Sequence, residues 1–331
     1  MDPTALERRL AALADAAPFA LHYQVRLLGP APVAGGAVLA ARSAPTSSLP
    51  TPAGGHALSR GADVVVPSFS TRKVSVLCAT LALVRAGQLD LERRLTVTEE
   101  LKEGVQAGLL RNLAAGIELS LRDCLVQMMA TSDNICTQLV FEAIGAAVHP
   151  GTEPGLPGTS AEDAALQYVN DYCAWAGMPA TWHRETFPRT GELTWSHALD
   201  AITVTTPADQ CHLLALLARG VTDETAAGRL RLTAEDCRFA VQLMRGIYTP
   251  RLGAATERIG FAEKNGRGLR SLSQVGIALD GEGAPLAAVA VYAETIPTRL
   301  PDGLPGRNAV FEAFAAVGLA VQDAVAPLHH A

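Results

Sequence analysis

Lysine, aromatic residues and long apolar runs are all scarce in this sequence. Of 27 Lys plus Arg residues only three are lysines, aromatic residues make up 5%, and no Lys/Arg run exceeds two residues. The formal net charge is −6. Nucleic-acid binders need clustered cations, so this balance excludes a phosphate-backbone partner. No stretch of 18 apolar residues is present, so we expect no membrane-spanning segment.

Metal and redox motifs are also absent. The six cysteines are widely scattered and form no C-x-x-C spacing, which indicates neither a zinc site nor a redox motif. The N-terminal sequence MDPTALERRLAALADAAPF carries charged residues throughout and lacks the apolar core of a signal peptide. We therefore expect a cytoplasmic protein with reduced cysteines, no metal and no cofactor. The cysteines occupy positions 78, 124, 136, 173, 211 and 237.

The 331 residues, 49% apolar and 18% charged, suit one large folded domain or two intimate lobes. Helical patterns fill the middle of the chain, while strand patterns lie at both ends. This arrangement predicts an α/β (α+β) fold with an antiparallel sheet flanked by helices. We assign residues 1–64 and 250–331 to the sheet-containing lobe and residues 65–249 to an inserted all-helical lobe.

Local signals fix several element boundaries. A helix is predicted from Ser70 to about Arg85, and strands over 259–264, 271–280 and 284–294. Capping boxes, in which a Ser or Thr N-cap is answered by an acid three residues later, mark further helix starts. They begin at Ser120, Ser160 and Thr233.

The segment Ser70-Thr-Arg-Lys73 is the first candidate for chemistry. A serine at a helix N-terminus lies where backbone N–H groups favour negative charge on its oxygen. A lysine at i+3 lies on the same face and can act as a base if burial or a nearby cation lowers its pKa. The S-x-x-K pattern alone arises by chance about once in a chain of this size.

The rarity of lysine strengthens this hypothesis. Arginine can replace a solvated surface lysine, but it cannot replace an ammonium that must lose its proton, because guanidinium stays charged. Two of the three lysines, Lys73 and Lys264, lie in candidate catalytic motifs, and Lys102 is the third.

Two further motifs could face the same cleft. Ser132-Asp133-Asn134 stands at a break between two helical patterns, and Lys264-Asn265-Gly266 ends a predicted strand. Each has an ordinary alternative, since Ser, Asp and Asn are usual turn residues and a lysine before a β-turn is common on surfaces. Other catalytic motifs are missing: the sequence has no G-x-S-x-G, H-E-x-x-H, P-loop or G-x-G-x-x-G.

S-x-x-K, S-D-N and K-x-G in this order resemble the class A β-lactamases and related penicillin-binding proteins. Gln106–Leu113, Leu121-Arg-Asp123, Thr205-Thr-Pro207 and the strand pair after Lys264 also look like this family's framework. The resemblance covers about residues 60 to 320. It implies a serine hydrolase or acyltransferase that forms a covalent acyl-enzyme.

The resemblance implies a role for each matching residue. Ser70 attacks a carbonyl, Lys73 takes its proton, and Ser132 relays a proton to the departing nitrogen. The backbone N–H groups of Ser70 and Arg267 form the oxyanion hole, a type of donor that contributes typically about 3 kcal/mol each. Asn134 binds the substrate's amide.

The resemblance further implies that Lys264 supplies positive potential for a substrate carboxylate, within the Lys264-Asn265-Gly266 motif. Arg270, five residues after Asn265 on the predicted sheet, could add a second cation, or it could be an ordinary strand-edge arginine. Asn265 departs from the family, which usually has a hydroxyl residue between Lys and Gly.

A second departure concerns deacylation. The loop before Thr205 has no clear E-x-x-x-N pattern, from which a class A β-lactamase draws the glutamate that activates water. Glu185 is the first candidate for that base and Glu192 the second. His183 and His197 become candidate bases only if they lie near Ser70.

We therefore expect a cytoplasmic serine enzyme acting on a small-molecule amide or ester, with no nucleic-acid or membrane partner. A metabolic or natural-product amide fits this compartment better than an environmental penicillin. Two alternatives stay open: a genuine β-lactamase, and a slowly turning-over binding or sensor protein of the same fold.

Overall fold

A computed structural model describes residues 3–29, 57–149, 160–188 and 198–326 of the chain. Its largest sheet has five antiparallel strands in the order β2-β1-β9-β8-β7, so the N-terminal strand β1 pairs with the last strand, β9. Strands β3 and β6, and strands β4 and β5, form two short two-stranded sheets. The strands are β1 (Ala20–Leu27), β2 (Ala57–Arg60), β3 (Val66–Pro67), β4 (Arg94–Thr96), β5 (Glu118–Ser120), β6 (Val204–Thr205), β7 (Gly260–Arg267), β8 (Leu272–Leu279) and β9 (Pro285–Glu294).

The helices between β3 and β7 form the middle of the molecule. All three predicted capping boxes are confirmed. The side-chain oxygens of Ser120, Ser160 and Thr233 each accept from the backbone N–H three residues later, and the Asp at that position accepts from the backbone N–H of the capping residue. The helices are α1 (Pro3–Ala16), α2 (Lys73–Arg85), α3 (Leu121–Ala130), α4 (Asn134–Val148), α5 (Ala161–Trp175), α6 (Pro207–Gly220), α7 (Glu224–Gly228), α8 (Ala234–Arg245) and α9 (Gly306–Val325).

The outer face of the large sheet packs against α1 and α9. Alternate residues of β1, such as Val25, join a core that includes Leu10 of α1 and Val310 and Phe314 of α9. Helix α9 is long and apolar enough to cross a membrane by length and composition, with 44% of that window buried. Core helices of folded domains pass the same test, and α9 uses its apolar side in this core.

The inner face of the sheet packs against the helical region through a second core. This core joins Val275 and Ala290 of the sheet to residues of α2, α3, α4, α6 and α8. The antiparallel sheet flanked by helices confirms the predicted fold class. The lobe boundaries at 64/65 and 249/250 stay a prediction.

The start of α2 differs from the prediction. Ser70 lies in a 3₁₀ turn, Phe69–Arg72, and α-helical geometry begins only at Lys73. The backbone of Phe69 has φ +44°, a left-handed conformation that a continuous α-helix cannot include. Ser70 therefore lies in the turn that precedes α2 and is not part of the α-helix itself.

Candidate active site

The 3₁₀ turn that carries Ser70 is held in place by hydrogen bonds of its neighbour Thr71. The hydroxyl of Thr71 donates to Ser68 O at 2.7 Å and lies 2.9 Å from the hydroxyl of Tyr292 on β9. Both Thr71 and Tyr292 are buried, whereas Ser70 is partly exposed. This arrangement holds the partly exposed Ser70 on a rigid support.

Strand β7 approaches this turn as closely as its glycines permit. A Cβ on Gly266 would lie 2.3 Å from Ser273 Oγ and 3.0 Å from Ser68 O, and one on Gly268 would lie 2.2 Å from the ring of Phe69. No side chain fits at either position without a shift of its neighbours. The glycine of the predicted K-x-G motif thus lets β7 pack closely on both Ser273 of β8 and the nucleophile turn.

Lys73 lies one turn after Ser70 and is 1% exposed. Its Nζ donates to Ser132 O at 2.8 Å, to Asn134 Oδ1 at 2.8 Å and to Ser132 Oγ at 3.2 Å. Within the described residues, Nζ forms no hydrogen bond to Ser70 Oγ. Lys73 therefore connects the nucleophile helix to the Ser-Asp-Asn segment.

Burial holds the pKa of Lys73 well below its usual range, and the positive charges of Lys264 and Arg72 lower it further. A neutral amine can keep all three contacts. Its two N–H groups would donate to Ser132 O and Asn134 Oδ1, which can only accept, while the Ser132 hydroxyl reverses and donates to the lone pair. The site is therefore compatible with a lysine that accepts a proton.

The Ser132-Asp133-Asn134 segment is held in a strained but well-bonded turn. Ser132 has φ +59°, which is uncommon for a serine. Asp133 caps α4 through Cys136 N at 3.0 Å and also accepts from Leu110 N at 2.9 Å. A Cβ on Gly108 would lie 2.2 Å from Asp133 Oδ2, so the 106–113 segment packs directly on this turn. These contacts fix the positions of the Ser132 and Asn134 side chains.

Lys264 is fully buried, and burial lowers its pKa to about 7. Its Nζ donates to the neighbouring Asn265 Oδ1 at 2.7 Å and to Asn265 O at 3.1 Å. Because an ammonium can only donate, the Asn265 oxygen must face it, which directs the Asn265 NH₂ group elsewhere. Asn265 is half-buried. It can therefore offer N–H donors where the resembling family has a hydroxyl.

Beyond Gly266 the strand end borders an arginine-lined cavity of about 210 Å³. Arg267, Arg270 and Arg307 line it, and none of its lining residues in the described part of the chain is acidic. Arg270 Nε donates to Ile296 O at 2.9 Å, which fixes its guanidinium at the cavity wall. This cavity would favour an anionic group next to the backbone of Arg267.

Glu185, the predicted water-activating base, lies in an ion pair. Its Oε1 accepts from Arg72 Nη1 at 2.9 Å, and its Oε2 accepts from the Thr203 hydroxyl at 2.9 Å. The Glu185 side chain is 23% exposed and that of Arg72 is 1% exposed. Both carboxylate oxygens are thus engaged by the protein. Glu192 lies outside the described residues.

The structure does not bring the candidate histidine His183 to Ser70. His183 is buried, with Nε2 3.1 Å from Ser75 Oγ rather than beside Ser70, and burial holds its pKa well below its usual range. His197 lies outside the described residues. Among the residues that the structure describes, no group of three His, Cys, Asp or Glu could hold a metal ion, and all six cysteines are buried free thiols.

Arg72 is the residue of the site that the sequence analysis missed. Its own signal was available, because a charged residue inside the S-x-x-K segment directly precedes a helix whose residues are mostly apolar. Such an arginine is buried only with acceptors around it. Its partners, however, come from residues 185, 186 and 203, which no local pattern connects to it.

A partly exposed serine before a buried lysine, a Ser-Asp-Asn turn and a Lys-Asn-Gly strand define a serine hydrolase of the class A β-lactamase type. The model of the family described as "Beta-lactamase enzyme family" matches residues 46–322. The chain belongs to this family.

Solved structures share this fold. A β-lactamase from Sphaerobacter thermophilus has a TM-score of 0.71 and 20% identity, covering 99% of this chain and 100% of its own. A point mutant of the class A β-lactamase of the last common ancestor of Gram-negative bacteria has a TM-score of 0.69 and 20% identity, over 98% and 100%. A point mutant of PBP-A, solved as an acyl-enzyme complex with penicillin-G, has a TM-score of 0.66 and 18% identity, over 97% of each chain. The search of curated proteins finds no match.

Proposed function

We propose that the enzyme cleaves a small-molecule amide or ester through an acyl-enzyme on Ser70, with Lys73 as general base. The observation that carries this proposal is the environment of Lys73: a fully buried amine one turn from a partly exposed serine, beside a second buried lysine. Such an environment favours the neutral amine, which can accept the Ser70 proton.

The proton then needs a route to the leaving group. Ser70 Oγ bonds to the carbonyl carbon, its proton passes to Lys73 Nζ, and the bond to the leaving nitrogen or oxygen breaks as that atom is protonated. The contact of 3.2 Å between Lys73 Nζ and Ser132 Oγ supports Ser132 as the relay in this last step. Water, or another acyl acceptor, later attacks the ester on Ser70.

The substrate's acyl amide would be held by Asn134 and the oxyanion by two backbone N–H groups. Asn134 Oδ1 already accepts from Lys73, so its NH₂ group remains to donate to a substrate carbonyl. The close contact between the nucleophile turn and β7 brings the backbones of Ser70 and Arg267 to the same part of the cleft, which supports their N–H groups as the oxyanion hole.

A carboxylate-bearing substrate is supported by the cations on this side of the cleft. Lys264, the Asn265 NH₂ group and the cavity lined by Arg267, Arg270 and Arg307 offer donors or positive charge. Guanidinium groups recognise carboxylates with paired N–H donors. We propose a metabolic or natural-product amide met in the cytoplasm, with a penicillin-type ring as the alternative.

The state of Glu185 favours a second candidate, a long-lived acyl-enzyme. Both of its oxygens are bound by Arg72 and Thr203, so the carboxylate would have to leave these partners to activate water. Without another base, acylation would proceed and deacylation would be slow. A slowly turning-over sensor or a transferase would then fit better than a hydrolase.

Intact-protein mass spectrometry separates these functions. The protein is incubated with benzylpenicillin and, separately, with a fluorophosphonate, and the modified residue is located by peptide mapping. Ser70→Ala should abolish labelling, while Ser160→Ala, which changes an exposed helix cap, should leave it unchanged.

The pattern of labelling identifies the activity. A transient penicillin adduct with released product indicates a β-lactamase, and a persistent adduct indicates the long-lived acyl-enzyme. Fluorophosphonate labelling alone indicates a hydrolase with another substrate. Absence of any label on Ser70 would overturn the proposed function.

A further inference from the structure

The buried arginine between Ser70 and Lys73 bonds to residues far from its own helix. Nη1 of Arg72 donates to Glu185 O at 2.6 Å, to Glu185 Oε1 at 2.9 Å and to Thr203 Oγ1 at 2.7 Å, and Nη2 donates to Thr186 O. One guanidinium thus bonds two loop carbonyls, a carboxylate and a hydroxyl. It ties the loop that contains Glu185 to the start of α2.

Thr203, which bonds both Arg72 and Glu185, is also bonded to the chain that enters the nucleophile turn. Ser68 N donates to Thr203 O at 3.0 Å, and Arg184 N donates to the Thr203 hydroxyl at 3.1 Å. Thr203 Oγ1 in turn donates to Glu185 Oε2. Arg72, Glu185 and Thr203 therefore form one closed network around the support of Ser70.

Arg72 also acts on Lys73 through its charge. Lys73 faces the cations Arg72, from its own turn, and Lys264, from β7. It faces the acid Asp133 and the thiol Cys136 from the turn and helix that follow Ser132. Among the described residues, Arg72 has a carboxylate bonded to it and Lys264 has none. The strength of the Arg72 field at Lys73 therefore depends on Glu185.

We propose that Arg72 and Glu185 form a positioning and charge-tuning pair: Arg72 orders the loop behind Ser70, and Glu185 sets how much positive charge Lys73 experiences. This inference rests on the proposed acylation of Ser70 by way of Lys73. It gives Glu185 a role as a positioning residue, whereas a water-activating base would have to contact the reacting water.

The pH dependence of Ser70 labelling by a fluorophosphonate tests the pair, because labelling requires neutral Lys73. Arg72→Met removes a cation and should move the midpoint of the rate–pH curve upward by about one pH unit. Glu185→Gln keeps an oxygen for Arg72 but removes its counter-charge, so the midpoint should move downward. That shift should be smaller, because Glu185 bonds Arg72 and not Lys73 itself.

The double variant Arg72→Met/Glu185→Met keeps the test valid if either single variant fails to fold. It removes both charges and leaves neither one buried alone, a replacement that proteins often tolerate. Its midpoint should fall between those of the wild type and Arg72→Met. The exposed pair Arg122–Glu92 gives matched controls, Arg122→Met and Glu92→Gln, which should leave the midpoint unchanged.

The outcomes are distinct. Midpoints that move in opposite directions for Arg72→Met and Glu185→Gln support the pair. Lower rates at an unchanged midpoint would show a purely structural anchor and overturn the inference alone. Normal acylation by benzylpenicillin with deacylation lost only in Glu185→Gln would instead establish Glu185 as the base. A wild type that is never labelled overturns the proposed function itself.

Discussion

Two adjacent residues of β7, Glu263 and Lys264, are both fully buried but point to opposite faces of the sheet. On the outer face, Glu263 accepts from the backbone N–H groups of Arg251, Leu252 and Gly253, each at 3.0 Å, and from the Gln274 amide. On the inner face, the described hydrogen bonds of the Lys264 amine all go to Asn265.

The difference lies in how completely each charge is satisfied. Four donors surround the carboxylate, so its burial is compensated and its role is structural. Lys264 has a single partner residue in the described part of the chain and lies near another buried lysine, Lys73. A buried charge without full compensation destabilises the fold, and such groups cluster where chemistry occurs. The comparison predicts that removing the charge of Glu263 lowers the free energy of unfolding, whereas removing the charge of Lys264 raises it.

The largest effect is expected for Lys73→Arg on the inner face. Guanidinium cannot lose its proton, so the rate of Ser70 acylation should fall about a thousandfold, within the range of general-base catalysis. The rate of fluorophosphonate labelling measures it. Lys102→Arg, at a lysine paired with Glu99 outside the candidate site, is the matched control and should retain the wild-type rate. An unimpaired Lys73→Arg enzyme would rule out Lys73 as the base.

Glu263→Gln tests the outer face. A glutamine keeps the size of the side chain but offers one acceptor oxygen and two donors to a ring of donors, which leaves buried N–H groups unpaired. We expect the free energy of unfolding to fall by about 3 kcal/mol. Urea unfolding measures it, with Glu282→Gln in an exposed turn as the control. A loss no greater than in this control would show that the donors are not what holds this region together.

Lys264→Met should change the free energy of unfolding in the opposite direction to Glu263→Gln and by a smaller amount. The folded-state pKa of about 7 lies below the unfolded value of about 10.4, so the cost of burying this charge is complete below pH 7. Removing the amine should raise the free energy of unfolding by about 2 kcal/mol at pH 7, after its lost contacts are deducted. The gain should shrink as the pH rises toward about 10.4, where the unfolded lysine also becomes neutral.

Unfolding of Lys264→Met and wild type at several pH values checks this sign. Binding of a carboxylate-bearing substrate should weaken in Lys264→Met, because the carboxylate loses its cationic partner. Lys102→Met serves as the reference for a partly exposed lysine outside the candidate site. If Lys264→Met proved less stable than the wild type across this range, Lys264 would be a structural residue like Glu263.

The chain itself revealed most of the motifs that form the site. Ser70 and Lys73 are local neighbours, and the caps at Ser120, Ser160 and Thr233 use contacts within four residues, so patterns along the chain predict them. Glu185 was singled out as an acid in the right loop, but its ion pair with Arg72 spans 113 residues. No spacing rule reports such a contact, so its part in deacylation stays a prediction.

What the sequence determined alone is the set of chemical groups and the local turns that present them, because hydrophobic period, capping and rare lysines are properties of nearby residues. Tertiary structure decided which charges are compensated. Only the packing of β7 between two faces gives Glu263 four donors and Lys264 a single described partner residue, since burial and hydrogen-bond geometry arise from segments far apart in the chain.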